Sequence, residues 1–160
     1  MPKPAHPVAV VGLEAKGRRG VDYPKPYDAG FEHRIKRPLG DLFDLTQFGV
    51  NLVTLEPGAM SSQRHWHVRE DEFVYVLEGT ITLGTDAGET KLTPGMAAGF
   101  PAGEANGHHL VNKSNETALY LEIGTRSPTE EVTYSDVDML AHKVDGKYSI
   151  THKDGTPYDE

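Results

Sequence analysis

The chain has 160 residues, which suits one domain with a single core. Lysine and arginine total 16 against 24 acidic residues, and the net charge of -8 disfavours binding to nucleic-acid phosphates or anionic membranes. The absence of cysteine excludes disulfides, iron-sulfur clusters and thiolate zinc sites, so a bound metal would need nitrogen and oxygen ligands. We therefore expect a small-molecule ligand, with no nucleic-acid partner and no membrane partner.

The first residues show no export signal and no membrane segment. Their apolar stretch is about six residues long and is broken by proline and glycine, whereas a membrane helix needs roughly 20 apolar residues. A cytoplasmic location is the default expectation.

Residues 1–46 mix charges, prolines and glycines without a sustained period, which predicts an N-terminal arm with short elements that packs on a barrel.

The sequence predicts the barrel core over residues 47–125, because β-branched and aromatic runs alternate there with turn sequences. The predicted strands are Phe48–Leu55, Glu72–Leu77, Thr80–Thr85, Glu89–Leu92, Met96–Phe100, His108–Asn112 and Ala118–Gly124. Short strands at regular intervals favour an all-β sandwich or barrel. Residues 126–160 predict a short C-terminal extension of the same domain, in which Ser135 caps a helical turn from Asp136 to His142.

Three histidines and one glutamate in the barrel segment are candidate metal ligands. His65 and His67 lie two residues apart, so a strand would project both imidazoles from one face. Glu72 opens the next strand, and a hairpin-like return brings its carboxylate toward them. His108 begins a later strand after a turn rich in proline and glycine, and it can supply a third nitrogen.

The two segments that carry these residues resemble the signature motifs of the cupin superfamily. They read GAMSSQRHWHVREDEFVYVLEG (58–79) and GMAAGFPAGEANGHHLVN (95–112). The matching positions are Gly58, His65, His67, Glu72, Gly79, Gly95, Pro101, Gly103, His108 and Asn112. The resemblance implies a double-stranded β-helix, the jelly-roll barrel of cupins, in which the three histidines and the glutamate ligate one divalent transition metal.

The identity of the last ligand has an alternative. The stretch between Gly103 and His108 is longer than the family pattern, and His109 follows directly. His108 keeps the step to Asn112 that the motif expects, whereas His109 would face the opposite side of an ideal strand. A β-bulge could invert that facing, so His108 is preferred and His109 stays open.

The ligand set limits which metals would bind and which reactions they would support. Three imidazoles and a carboxylate suit iron, manganese, nickel, cobalt, zinc or copper better than calcium or magnesium. The motif pair also resembles compact single-domain cupins provisionally labelled sugar-phosphate isomerases. This resemblance implies a metal-dependent enzyme for a small oxygen-rich substrate such as a sugar or sugar phosphate. An iron-dependent dioxygenase and a non-catalytic small-molecule binding cupin are the alternatives.

Residues for proton transfer and phosphate binding are harder to assign. Glu70, His109 and Glu104 are candidates for a general base by proximity in the sequence. Only Arg64 and Arg69 are basic residues close to the motifs, which counts against a phosphorylated substrate.

The strand that begins at Glu72 is apolar on both faces. If Glu72 faces the barrel interior, then Phe73, Tyr75 and Leu77 face outward and need cover. The N-terminal arm or a partner subunit could supply that cover, and the resemblance to cupins implies a homodimer.

Overall fold

The computed structural model describes residues 1–2 and 5–159, and within them the chain forms thirteen short strands and two 3-10 helices. The strands are β1 (Arg18–Arg19), β2 (Arg34–Pro38), β3 (Phe48–Leu55), β4 (His65–His67), β5 (Glu72–Glu78), β6 (Ile81–Thr85), β7 (Gly88–Leu92), β8 (Ala97–Phe100), β9 (His109–Val111), β10 (Ala118–Thr125), β11 (Glu130–Tyr134), β12 (Leu140–Val144) and β13 (Lys147–Thr151). The 3-10 helices are Gly12–Glu14 and Gly40–Phe43. In this described part of the chain, no helix is long and apolar enough to cross a membrane.

The strands form three antiparallel sheets. The six-stranded sheet has the order β1-β2-β3-β10-β5-β8, the four-stranded sheet β13-β12-β11-β4, and the three-stranded sheet β7-β6-β9. Strands far apart in sequence, such as β3, β10 and β5, are neighbours in space. The all-β jelly-roll architecture, the double-stranded β-helix predicted from the sequence, is confirmed.

The main core lies between the six-stranded and the three-stranded sheets. Val53 on β3, Val76 on β5 and Ile81 on β6 are fully buried there, together with Tyr120 on β10. Alternation explains this burial, since every second residue of a strand projects to the same face. This core fixes the strands that carry the candidate ligands.

A smaller cluster lies on the four-stranded sheet and is completed by the N-terminal arm. Val132, Tyr134, Met139 and Ala141 are its buried members. The ring of Tyr23, from the arm, packs edge-on against Tyr134 with centroids 5.5 Å apart. The arm therefore helps to hold the four-stranded sheet over the barrel.

Gly79 shows why one motif position needs glycine. It joins β5 to β6 with a φ of 75°, a left-handed conformation that side chains disfavour. An added Cβ would lie only 2.9 Å from the backbone of Thr117 and Ala118. The close approach of β10 to this turn therefore excludes a side chain.

Each of the seven strands predicted in the barrel segment overlaps an observed strand, but the helical turn predicted from Asp136 to His142 is wrong. Residues 135–138 form bends, and Leu140–Val144 is strand β12, paired with β11 and β13. Met139 and Ala141 are buried at alternate positions, which is the period of a strand. Pairing on both sides thus outweighed the local capping signal of Ser135.

Candidate metal centre

The four candidate ligands meet where the three sheets come together. His65 and His67 lie on β4, at the edge of the four-stranded sheet, and Glu72 opens β5 in the six-stranded sheet. His108 directly precedes β9 of the three-stranded sheet. The backbones of His65 and His108 exchange hydrogen bonds of 2.8 and 3.1 Å, which joins these two segments side by side.

One carboxylate oxygen is the meeting point of the cluster. Glu72 Oε2 lies 3.1 Å from His67 Nε2, 3.1 Å from His108 Nε2 and 3.7 Å from His65 Nε2. None of the four side chains is more than 18% exposed. The structure thus brings together all four residues that the sequence proposed as ligands.

His109 points elsewhere. Its Nδ1 lies 3.2 Å from the carbonyl oxygen of Ser62, and its ring lies against Gly84, where an added Cβ would be 3.0 Å from the ring. The two adjacent histidines therefore face opposite ways, as ideal alternation predicts. This geometry favours His108 over His109 for the candidate ligand set.

The imidazole rings of the cluster are oriented by their surroundings. His65 Nδ1 donates a hydrogen bond of 2.8 Å to the carbonyl oxygen of Gln63, so in the neutral ring Nε2 carries the lone pair and faces the cluster. The ring of His108 stacks on Phe100 with centroids 3.6 Å apart and an angle of 5°. Both rings are therefore held with Nε2 directed at Glu72.

Burial and the carboxylate set the charge state of the cluster. Burial by itself would raise the pKa of Glu72, but the three neighbouring imidazoles of His108, His65 and His67 hold that pKa well below its usual range. Burial lowers the pKa of His108, and Glu72 offsets this only in part. Burial alone would lower the pKa of His65 as well, but its interaction with the negatively charged Glu72 outweighs burial and raises that pKa. Glu72 is therefore ionised and lies among imidazoles.

The donor set fits a metal ion. Donor atoms bound to one transition metal at about 2.0–2.2 Å lie about 3.0–3.6 Å from one another. The separations of 3.1, 3.1 and 3.7 Å between Glu72 Oε2 and the three nitrogens are close to this range. His65, His67 and Glu72 also form a group whose ligand atoms all lie within 4.8 Å of one another. The cluster could therefore bind a metal.

Comparison with known proteins supports this interpretation. The Cupin_2 family, described as Cupin domain, matches residues 51–124. A crystal structure described as a sugar phosphate isomerase from a cupin superfamily, from Silicibacter pomeroyi DSS-3, is 44% identical. Its TM-score is 0.88 over 98% of this chain and 97% of that chain. This chain belongs to the cupin superfamily.

Two other solved structures resemble this cupin at lower identity. A protein from Acidithiobacillus ferrooxidans ATCC 23270, provisionally described as a sugar phosphate isomerase, is 29% identical with a TM-score of 0.78 over 92% of both chains. The polyketide cyclase RemF from Streptomyces resistomycificus is 27% identical with a TM-score of 0.64, over 81% of this chain and 85% of that chain. A comparison with curated proteins found no significant match.

A buried carboxylate lies behind one candidate ligand of the cupin barrel. Glu130 Oε1 accepts hydrogen bonds of 2.8 and 2.7 Å from the backbone N–H groups of Arg69 and Glu131. Its Oε2 lies 3.9 Å from His67 Nδ1, and both atoms are buried without a hydrogen-bond partner in the described structure. Glu130 is therefore placed to accept a proton donated by His67 Nδ1 if His67 Nε2 binds a metal.

The candidate ligands line a cavity of about 490 Å³ inside the cupin barrel. This volume falls in the range of small-molecule sites, which is roughly 300–1,000 Å³. Glu122 on β10 also lines the cavity, and it shares a face with Val74, its cross-strand partner on β5. Over the described ranges, its carboxylate has neither an ion pair nor a hydrogen bond.

The general-base candidates taken from the sequence lie elsewhere. Glu70 is paired with Lys143, and Glu104 lines a separate pocket of about 200 Å³. Sequence reasoning missed Glu122, although the alternation of Tyr120 and Glu122 on β10 was a usable signal. It also missed Arg34 and Lys36, which line the main cavity from an arm segment without a clear period.

Proposed function

We propose that this cupin is a metal-dependent enzyme for a small oxygen-rich substrate and that it isomerises a sugar or sugar phosphate. The observation that carries the proposal is the convergence of three imidazole nitrogens and Glu72 on one wall of a cavity large enough for such a molecule. The likeness to proteins described as sugar phosphate isomerases supports the reaction class.

In this proposal the residues of the cluster hold the metal and orient the substrate. His65, His67, His108 and Glu72 would bind one divalent transition metal through nitrogen and oxygen donors. When bound, such an ion supplies Lewis-acid polarisation of a carbonyl and an adjacent hydroxyl. The stacking of His108 on Phe100 keeps that wall rigid, which favours a fixed substrate position.

Glu122 is our candidate for the proton carrier. Isomerisation of an aldose or ketose removes a proton from the carbon that bears the hydroxyl and returns it to the former carbonyl carbon, while the hydroxyl proton moves to the former carbonyl oxygen. Glu122 lines the cavity, and among the residues described its carboxylate has no ion-pair partner, so it is free to take and return that proton.

The test is a screen of aldoses, ketoses and their phosphates with protein reconstituted with each candidate metal. We expect turnover by the metal-loaded protein and none after chelation. Glu122→Gln should retain the metal and lose about 100-fold or more in kcat, the usual contribution of a general base. Glu116→Gln, which changes an exposed glutamate, is the matched control.

The outcomes separate isomerisation from the alternative functions. Turnover that consumes oxygen and stops under anaerobic conditions would replace the isomerase by an iron-dependent dioxygenase. Tight binding of a small molecule without any turnover would indicate a non-catalytic binding cupin. Equal activity of Glu122→Gln and wild type would exclude Glu122 as the proton carrier.

A further inference from the structure

Two basic residues on β2 line the same cavity as the candidate metal centre. Arg34 and Lys36, called here the β2 basic pair, lie two residues apart and so share a face of the strand. Lys36 is the cross-strand partner of Val53, and Val53 is the partner of Tyr120. Because Val53 and Tyr120 belong to the main core, this face of β2 is the inner face of the barrel.

The side chains of the β2 basic pair lack partners for their positive charges. Within residues 1–2 and 5–159, neither side chain has an ion-pair partner. Arg34 Nη1 donates a hydrogen bond of 2.9 Å to the carbonyl oxygen of Gly20, which orients the guanidinium group. Arg34 Nε, in contrast, is buried without a hydrogen-bond partner among these residues. A buried donor that lacks a partner is costly, and Nη2 also donates to none of these residues, so the guanidinium group would gain from an oxyanion acceptor in the cavity.

Two other arginines near the cavity and the motifs are already neutralised. Arg18, at the cavity mouth, is paired with Asp22. Arg64, one of the two basic residues close to the motifs, is held by a 2.9 Å ion pair with Asp136 and donates to the carbonyl oxygen of Gly107 at 2.9 Å. The β2 basic pair is thus better placed than these arginines to attract an anion into the cavity.

We propose that the β2 basic pair binds an oxyanionic group of the substrate, a phosphate or a carboxylate, while the hydroxyl and carbonyl end lies at the metal cluster. The proposal rests on the proposed function and specifies its substrate as an anionic, oxygen-rich molecule. An arginine fork matches two oxygens of such a group, and a lysine adds a compact positive charge. One cavity of about 490 Å³ contains both the pair and the cluster.

The test uses the full chain after removal of metal with EDTA, so that an anion cannot bind through a metal ion. Inorganic phosphate and acetate are titrated separately by calorimetry. We expect at least one of them to bind, and Arg34→Gln and Lys36→Gln each to weaken that binding at least tenfold. Lys91→Gln removes the same charge from an exposed position on β7 and should change the affinity less than twofold.

The two anions distinguish the source of the oxyanion. Preference for phosphate supports a phosphorylated substrate, and preference for acetate supports a sugar acid. Binding of neither anion, or equal binding by wild type and both variants, overturns the proposal. Circular dichroism checks the fold, and Lys36→Met, which keeps the aliphatic stem, replaces Arg34→Gln if loss of the bond to Gly20 unfolds that variant.

The same measurements separate this inference from the proposed function. Anion binding that depends on the β2 basic pair, without turnover by metal-loaded protein, would support the anion site and reject the isomerase. Turnover of a sugar phosphate with an unchanged KM in both variants would support the isomerase and reject the anion site. If both proposals are right, the variants should raise KM for the phosphorylated sugar and leave KM for the unphosphorylated sugar unchanged.

Discussion

Glu72 connects three histidines through a single oxygen atom. Its Oε2 lies 3.1 Å from the ring nitrogens of both His67 and His108. A metal ion would bind through the lone pairs of these nitrogens and of the carboxylate. At the scale of single residues, the metal proposal therefore makes sharp predictions for the two histidines on β4.

His67→Ala is expected to abolish stoichiometric metal binding and to leave the β fold intact, because the main apolar core does not include this imidazole. Elemental analysis of purified, untagged protein, together with circular dichroism, measures both effects. His142→Ala, at a partly exposed histidine that pairs with Glu131 at 3.7 Å, should keep its metal. Metal retained in both His65→Ala and His67→Ala would refute the site.

Glu130 should strengthen metal binding through His67. Glu130→Gln is expected to weaken metal affinity about 10- to 100-fold, because a neutral amide accepts a proton from His67 Nδ1 less strongly than a carboxylate does. Competition with a chelator measures the affinity. Glu131→Gln, at the neighbouring position, should leave it near the wild-type value. Unchanged affinity in Glu130→Gln would show that Glu130 does not support the ligand.

At the scale of elements, Asn112 ties together the turn that follows β9. It is fully buried, and its Nδ2 donates hydrogen bonds of 2.8 and 2.7 Å to the carbonyl oxygens of Leu55 and Glu116. Its Oδ1 accepts hydrogen bonds from the backbone and hydroxyl of Ser114. This motif position therefore stabilises the junction of β3, β9 and β10.

Asn112→Ala is expected to lower the free energy of unfolding by about 3 kcal/mol, because it leaves several buried polar groups without partners. Urea denaturation measures the change. Asn115→Ala, at an exposed site three positions along the chain, should stay within about 0.5 kcal/mol of wild type. A small effect of Asn112→Ala would mean that water satisfies these groups.

At the scale of the whole molecule, an apolar strip remains open on the outer face of the six-stranded sheet. Phe73, Tyr75 and Leu77 are 41%, 38% and 38% exposed. The arm lies over β3 instead, where an added Cβ on Gly12 would be 3.1 Å from Leu52. The sequence suggested two covers, the arm and a partner subunit. The described residues of the arm, 1–2 and 5–46, leave β5 uncovered, and we propose that a second copy of the chain covers it.

Phe73→Lys is therefore expected to shift the protein from a dimer to a monomer, because it places a charge in the apolar strip. Light scattering after size exclusion should give twice the chain mass of 17.5 kDa for wild type and the single mass for the variant. Thr90→Lys, on exposed β7, should remain dimeric. A monomeric wild-type protein at high concentration would contradict the proposal.

Local patterns in the sequence determined the barrel strands and the nearest pair of candidate ligands. Alternation places His65 and His67 on one face wherever the chain is extended, and apolar runs between turn residues mark strands such as β3 and β5. The turn patterns suggested Glu72 and His108 as their partners, and the resemblance of the two motifs to cupins implied the full ligand set. These predictions needed only short-range periodicity and a family pattern.

Only the tertiary structure decided which distant residues share the cavity. Glu122, Arg34 and Lys36 reach it because β10 and β2 pair with β3, and Glu130 reaches His67 because β11 pairs with β4. The same pairing converted the predicted helical turn into β12. Hydrogen bonding between strands far apart in the chain has no local signature, so the sequence could predict the strands but not which of them would be neighbours.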